Sequence, residues 1–567
     1  MKYKLIGSGN TDNIIETILT NRGIKDPDKY LDLDETCCNS YENLNHIMEA
    51  VRCFDKHLND RNKISILCDC DPDGYTSASM IYQYIKRIDP DYPVEYLIHS
   101  DSKAHGLQKM STGDFSIPID TKLFIVPDAG TNDTNECNQL IKDGIDIIIL
   151  DHHEREDIGK KNKAIIVNNQ TSLKYSDKQF SGVGIVYEFC RALDDYYMLD
   201  YALDYLDLVA LGNISDNMDV TDYQTRYYIN QGLNNIKNKF FVALLRKQGF
   251  MSSDTVTIHD VTWSITPIIN AMVRLGTIEE RQLMFKAFIG EDEYFPYVKR
   301  GSKIEIQEDI YTHMARLCYN IKSRQDRLRD KMYQLLLQEV NPEDKIPIIV
   351  VDEGDSGIIG VSCIKLANSL HKPCIILKKM KDGKLGGSAR NCNNSPIPMF
   401  KDLNNSIEVF DLCAGHQNAH GIVLDPDRLE EARQKLNEVA DDFSFELITE
   451  CDFIVEMERV TPEFIGTFNA YKWLYGKGLD EPVVAIEGVK LRSDACRLMG
   501  KEQDSVSFTC NGIKYCKFKC GPDDELLNLI ASGFDGLRNV NLIGKCSINE
   551  YNGNVEPQVI IEDYEIL

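Results

Sequence analysis

The strongest constraint on this chain is a recurrence of short apolar runs that end in carboxylate or imidazole. In KISILCDCDPDGYTSASM, Ile64, Ile66 and Leu67 supply the run, and Asp69, Asp71 and Asp73 follow before Gly74 turns the chain. In KLFIVPDAGTND, Leu123 to Val126 lead into Asp128 and Gly130. In IDIIILDHHERE, a run broken only by Asp146 leads into Asp151-His152-His153. LDLVALGNISDNMD brings Asp216 after a fourth run. Near-continuous apolar runs suit strands buried on both faces of a parallel sheet, and helical stretches between them make the alternation of an α/β fold. Such sheets bind ligands beyond the carboxyl ends of their strands. A His-His pair alone usually belongs to the surface or a satisfied core. Three further strand ends carrying acids turn the reading to a metal site.

Hard divalent cations take carboxylate and water oxygen and tolerate imidazole. Four strand ends delivering Asp and His therefore predict a two-metal centre, which activates water and clamps both attacking and leaving oxygens in phosphoester displacement.

The series D-x-D-x-D-G, D-x-G, D-H-H and A-L-G-x-x-x-D, in this order, resembles the DHH phosphoesterases, and within them the RecJ-like single-strand-specific 5′-to-3′ exonucleases. The resemblance covers nearly the whole chain. It implies that Asp71, Asp73, Asp128, His152 and Asp216 hold two Mn2+ or Mg2+ ions, Asp128 or Asp216 bridging them. Asp69 and His153 are expected at the edge, orienting ligands or meeting phosphate. In ITPIINAMVRLGT, which matches a P-x-I-N-A-x-x-R-L-G segment of those proteins, Arg274 is expected to contact phosphate, the alternative being an internal salt bridge. Three positions depart from the pattern. Ile268 stands where an Arg is common, and Leu67 where some relatives have a metal-binding His. In LIHSDSKAHGLQ, a phosphate-gripping Arg is replaced by Ser100, with Lys103 and His105 close by.

A chain of 567 residues has room for three or four domains. Residues 1–50 read as a helical prelude packed on a catalytic α/β domain at 51–302. Within the latter, FSGVGIVYEFCRAL reads as a turn at Gly182 and Gly184 entering a helix. Apolar residues from Ile306 to Leu335 recur at helical steps, predicting one long connecting helix over 303–340. A second α/β domain at 341–445 resembles the DHH-associated domain, whose glycine-rich segments face the metals across a cleft. Gly386, Gly387, Ser388 and Arg390 in GGSARN, and Gly415 and His416 in AGHQNAHG, match its motifs, with Ala414 replacing a glycine. A hydroxyl, a guanidinium fork and glycine N–H groups predict a phosphate cradle there. The regular short strand-like runs of 446–567 predict a small β-barrel resembling the OB domain of RecJ-like proteins. In KYCKFKC, alternation puts Lys517 and Lys519 on one face, tracking a strand backbone, and Phe518 on the other, in the core.

The formal net charge of −26 argues against a general polyanion binder, because phosphate contacts need Lys and Arg. A local basic groove can still hold nucleic acid, and Lys378, Lys379, Lys381 and Lys384 supply one such patch, unless they are simply solvated. The 18 cysteines lack C-x-x-C pairing and are expected to be free thiols of a reducing compartment. No apolar run approaches membrane-spanning length, and MKYKLIGSGNTDN lacks a secretory signal, so a cytoplasmic monomer without membrane contact is expected.

The expected function is removal of mononucleotides from the 5′ end of single-stranded DNA, with RNA as an alternative substrate and single-strand-binding or replication and recombination proteins as candidate partners. Two other readings remain: a small-nucleotide phosphodiesterase of the same superfamily, and a replication accessory protein on a dead nuclease. The C-terminal barrel argues against the first and the intact acids against the second.

Overall fold

The computed structural model describes all residues except 157, 158, 160, 251–254, 353–355, 447 and 552–553. The chain forms two compact units. One comprises Met1–Val273, Thr277–Arg316 and Ile448–Leu567, the other Leu317–Leu447 with Arg274–Gly276.

The first unit contains the predicted parallel sheet. Its strands are β1 (Lys63–Cys68), β2 (Val94–Ile98), β3 (Thr121–Pro127), β4 (Asp146–Asp151) and β5 (Ile165–Asn168), in the order β2-β1-β3-β4-β5 and all parallel. Ile64, Ile66, Leu123 to Val126 and Ile148 to Leu150 are completely buried, which accounts for their near-continuous apolarity. Helix α1 (Pro72–Ile88) starts directly after β1. Asp71 caps it by accepting from Gly74 N, and Pro72 sits in the first turn, where its missing N–H costs nothing.

Beyond the sheet come α2 (Gly182–Tyr197) and α3 (Leu206–Ser215). The fourth apolar run is thus a helix and not a strand, and Asp216 caps its carboxyl end. Every residue from Asp207 to Ser215 is buried, and a helix apolar on all sides shows no 3.6-residue period to distinguish it from a buried strand.

Helices α4 (Thr266–Leu275) and α5 (Ile278–Ile289) follow, then an antiparallel hairpin of β6 (Tyr294–Val298) and β7 (Glu305–Asp309). The long helix α6 (Ile310–Glu339) begins after this hairpin, later than the apolar spacing predicts. Ile306 belongs to β7, and Asp309 Oδ1 accepts from Thr312 N at 2.7 Å, fixing the helix start there.

In the second unit, β8 (Ile348–Val351), α7 (Ser356–Leu370), β9 (Cys374–Lys379), β10 (Leu385–Arg390), β11 (Leu412–His416) and β12 (Ala419–Leu424) follow in order. The sheet runs β11-β12-β10-β9-β8, with only β8 and β9 parallel. Ile375, Leu377, Ala389 and Ile422 build its core.

The C-terminal part of the first unit is a seven-stranded sheet between residues 453 and 566. Its two long strands, Leu537–Tyr551 and Asn554–Ile566, shift register at Ile543/Gly544, and such bulges bend a sheet. The chain's first strand, Tyr3–Leu5, pairs in parallel with Thr449–Cys451, at the entrance to this region. All 18 cysteines are free thiols. No helix among the described residues is long and apolar enough to cross a membrane.

Candidate metal centre

The carboxyl ends of β1, β3 and β4 and the end of α3 bring the acidic and imidazole side chains together. Ligand atoms of Asp73, His152 and Asp216 lie within 4.8 Å of one another, and so do those of Asp69, Asp71 and Asp128. His152 Nε2 joins the sets, at 3.3 Å from Asp128 Oδ1 and 3.4 Å from Asp216 Oδ2.

Asp128 leaves β3 with φ at +60°, an uncommon backbone for a residue with a side chain, and its N–H donates to the Leu150 carbonyl at 2.8 Å. The resulting turn aims its carboxylate into the centre. Its Oδ1 is buried without a hydrogen-bond partner among the described residues. Burial, then the charges of Asp73 and Asp71, push its carboxyl well above the usual range. Burial and Asp73 do the same to Asp216, and burial and Asp71 raise Asp73 to about 6. Unpaired carboxylates this close repel, and a cation reverses the sign of that interaction.

Asp73 is fixed from the amino end of α2. Its Oδ2 accepts from Gly182 N at 2.7 Å and its Oδ1 from the Ser181 hydroxyl at 3.1 Å. Gly182 is required there, because a Cβ would lie 2.4 Å from Asp128 Oδ1 and 2.7 Å from its Cα. Gly212 of α3 meets Asp73 in the same way, with a Cβ position 2.3 Å from Oδ1. Gly184, by contrast, accommodates the Phe180 ring.

Asp151 has a different role. Its Oδ1 accepts from His152 N at 2.7 Å and His153 Nδ1 at 2.7 Å, and its Oδ2 from Thr131 N at 3.0 Å. Burial raises its carboxyl, but the His153 charge and hydrogen bond prevail and hold it well below the usual range. In the metal-free protein burial disfavours the His153 cation, yet Asp151 raises its titration to about 9. Asp69 does the same for His105, whose Nδ1 lies 2.7 Å from its Oδ2. Against burial, the His105 pKa rises to about 10. The two imidazoles stand 4.7 Å apart. Asp69 also accepts from Gly106 N at 3.0 Å, so its oxygens orient neighbours.

Among the candidates for the missing arginine, His105 is thus the one at the centre. Ser100 is tied to Asp114 Oδ1 at 2.8 Å, and Lys103 is exposed, its N–H donating to Asp101. Arg274 lies half-buried in the last turn of α4, where a cation also suits the helix dipole.

In the second unit, β10 is paired on both edges, Gly386 with Lys378 and Val423 and Gly387 with Leu377 and Ile422. Their amides belong to sheet ladders, so the predicted backbone cradle is corrected: glycine is needed because a Cβ on Gly387 would lie 1.9 Å from Ile376 O. Ser388 and Arg390 share one face of β10, opposite Gly360 of α7, where a Cβ would come within 2.9 Å of Arg390 Nη2. Arg390 Nη1 donates to the Ala389 and His420 carbonyls at 2.8 and 3.3 Å. Burial lowers its pKa. Gly415, at φ +125°, and His416 end the exposed edge strand β11.

The C-terminal lysines also depart from expectation. Lys517 ends its strand with the ammonium on Asp524 Oδ2 at 2.6 Å and over the Tyr564 ring at 4.4 Å. Lys519 lies past the strand in a left-handed conformation, and Phe518 is 53% exposed rather than in the core. Alternation does not extend beyond a strand's end, so the predicted facing fails at Lys517.

Aligned over 578 residues, the chain is 35% identical to the SPbeta prophage protein YorK of Bacillus subtilis, assigned as a single-strand DNA-specific exonuclease, covering 100% of this chain and 98% of that one. The chain belongs to the RecJ-like family of DHH proteins. Residues 63–213 match the DHH family, N-terminal domain, and residues 451–563 the RecJ OB domain. The single-stranded-DNA-specific exonuclease RecJ of B. subtilis is 24% identical over 533 residues, 91% of this chain and 63% of that protein. RecJ of Thermus thermophilus in complex with Mn2+ superposes with a TM-score of 0.75 at 18% identity, covering 100% of this chain and 78% of that one, a likeness of fold.

Proposed function

We propose that this chain is a divalent-metal-dependent exonuclease that hydrolyses single-stranded DNA from its 5′ end and releases mononucleotides. The observation that carries this reading is the convergence of Asp71, Asp73, Asp128, His152 and Asp216 on one buried spot in a RecJ-like chain.

The residues fit two hard cations. Asp128 Oδ1 is buried without a hydrogen bond among the described residues, and burial, then the neighbouring carboxylates, makes three carboxyls there resist ionisation. Asp71, Asp73, Asp128, His152 and Asp216 would hold two Mn2+ or Mg2+ ions. When bound, such ions supply charge to neutralise phosphate and make water acidic enough to attack it.

The protein's own groups supply the rest. Asp151 fixes the His153 ring through Nδ1, and Asp69 fixes His105, leaving the other nitrogen of each imidazole able to donate to a phosphate oxygen. Gly182 and Gly212 leave no room for a Cβ beside Asp128 and Asp73, so both carboxylates pack directly on helix backbone, which restricts their orientation. Ser388 and Arg390 are proposed to bind the terminal 5′-phosphate. The Ser388 hydroxyl and Arg390 Nη2 are suited to this, since β10 amides are engaged in the sheet.

Incubation of 5′- and 3′-end-labelled single-stranded DNA and RNA with Mn2+ or Mg2+ tests the reading. Release of the 5′ label as mononucleotide from the earliest times, from DNA and only with metal, is expected. Loss of the 3′ label first, or cleavage without added metal after chelation, would contradict it.

A further inference from the structure

The hairpin of β6 and β7 lies outside both segments that match family models, 63–213 and 451–563. Its inner face is anchored. Phe295 stacks on His313 at 4.2 Å, and the Arg316 guanidinium lies 4.1 Å from the Tyr297 ring while donating to Glu308 Oε2 at 2.7 Å. These contacts fasten the hairpin to the first turns of α6.

The outer face and tip are exposed. Tyr294, Val298 and Ile304 are 67%, 48% and 72% exposed. The tip is a tight turn in which Ser302 N donates to Lys299 O at 2.9 Å and Gly301 takes φ +83°. It carries Lys299, Arg300 and Lys303, all exposed and, among the described residues, in no ion pair. Glu305 is the exposed acid beside them, while Asp309 accepts from Thr312 N. Three free cations within five residues contrast with a chain of net charge −26, which as a whole disfavours polyanions.

The hairpin stands away from the chemistry. Helix α5 runs alongside α1, Tyr75 O–H donating to Arg281 O and Gln83 Nε2 to Phe288 O. Asp73 lies at the opposite end of α1, about 15 Å of helix before Gln83. The hairpin follows α5, so it lies at the end of α1 remote from the acids.

We propose that this hairpin is a second nucleic-acid site, which grips the phosphate backbone of the single strand beyond the catalytic centre. Lys299, Arg300 and Lys303 contact phosphates, and Tyr294 and Ile304 offer surfaces to bases. The idea rests on the exonuclease reading and adds to it a contact that only longer strands reach.

The test is the triple variant Lys299→Ala, Arg300→Ala, Lys303→Ala in the full chain, with folding checked by circular dichroism. Binding of a long oligothymidylate is followed by fluorescence anisotropy across a salt series, with Ca2+ in place of Mn2+ to prevent hydrolysis. Three lost single-strand phosphate contacts reduce the slope of log Kd against log salt by about 2. Hydrolysis of a tetranucleotide in Mn2+ should match wild type, and the variant Lys299→Arg, Lys303→Arg should keep the wild-type slope. An unchanged slope in the alanine variant, equal loss on the tetranucleotide, or a loss confined to duplex DNA would overturn the proposal. Failure of the wild type to hydrolyse single strands would instead overturn the exonuclease reading beneath it.

Discussion

Gly182→Ala isolates the packing that positions the centre. A Cβ at this position would lie 2.4 Å from Asp128 Oδ1, 2.5 Å from its Cβ and 2.7 Å from its Cα. Ordinary carbon contacts need about 3.5 Å or more, so Asp128 or the start of α2 must move by about 1 Å. Neither can move alone, because Gly182 N also holds Asp73 Oδ2 at 2.7 Å. Overpacking of this kind costs about 1–3 kcal/mol of stability. A 1 Å displacement of a catalytic group costs about a hundredfold in rate. The control is Gly184→Ala, whose Cβ would press on the Phe180 ring at 2.6 Å and not on an acid. Mononucleotide release from end-labelled single-stranded DNA at saturating Mn2+ is the assay, with thermal unfolding in parallel. Both variants should lose stability, and only Gly182→Ala should lose about two orders of magnitude in turnover. Turnover of Gly182→Ala within about threefold of wild type, less than 1 kcal/mol of barrier, would refute the reasoning, as would equal losses in both variants.

Asp128→Ala and His152→Ala should each abolish metal-dependent hydrolysis with the fold intact by circular dichroism, since each is proposed to supply a ligand from a buried position where the two candidate groups meet; near-wild-type turnover in either would show the ligand assignment wrong. Arg390→Ala should remove most of the rate advantage of 5′-phosphorylated over 5′-hydroxyl DNA; a preserved preference would move the anchor to other residues. Glu188, fully buried beside Tyr175 and Arg191, is raised by burial from 4.5 to about 7. The folded protein therefore holds a proton that the unfolded chain has released across that window, and stability falls as pH rises through it, by up to about 3 kcal/mol. The melting temperature of Glu188→Gln relative to wild type should accordingly rise between acidic and alkaline buffer, and a constant difference would contradict the assignment.

The strand ends were readable because burial on both faces leaves an uninterrupted apolar run, and Asp71, Asp73, Asp128 and His152 stand where the run stops. Asp216 was readable as a ligand candidate but not as a helix cap, because α3 is buried on every side. The sequence alone assigns Asp151 no role. Only the donors from His152, His153 and Thr131 reveal that it orients the pair. The asymmetry between Gly182 and Gly184 is invisible in a G-V-G string, since it depends on which side chain lies opposite. The same holds in GGSARN, where the close approach of the Ile376 carbonyl on β9 requires Gly387. Phe518 lies past the last residue of its strand, where alternation no longer decides burial. The basic tip at Lys299 to Lys303 was hidden by its place between two helical patterns.

The central claim is that Asp71, Asp73, Asp128, His152 and Asp216 would hold two metal ions close together, and electron paramagnetic resonance of the Mn2+-loaded protein tests it most directly. The wild type should bind two Mn2+ and give the spectrum of an exchange-coupled pair, and Asp128→Asn should lose that coupling. Two uncoupled ions in the wild type, or an unchanged coupled spectrum in Asp128→Asn, would contradict the account.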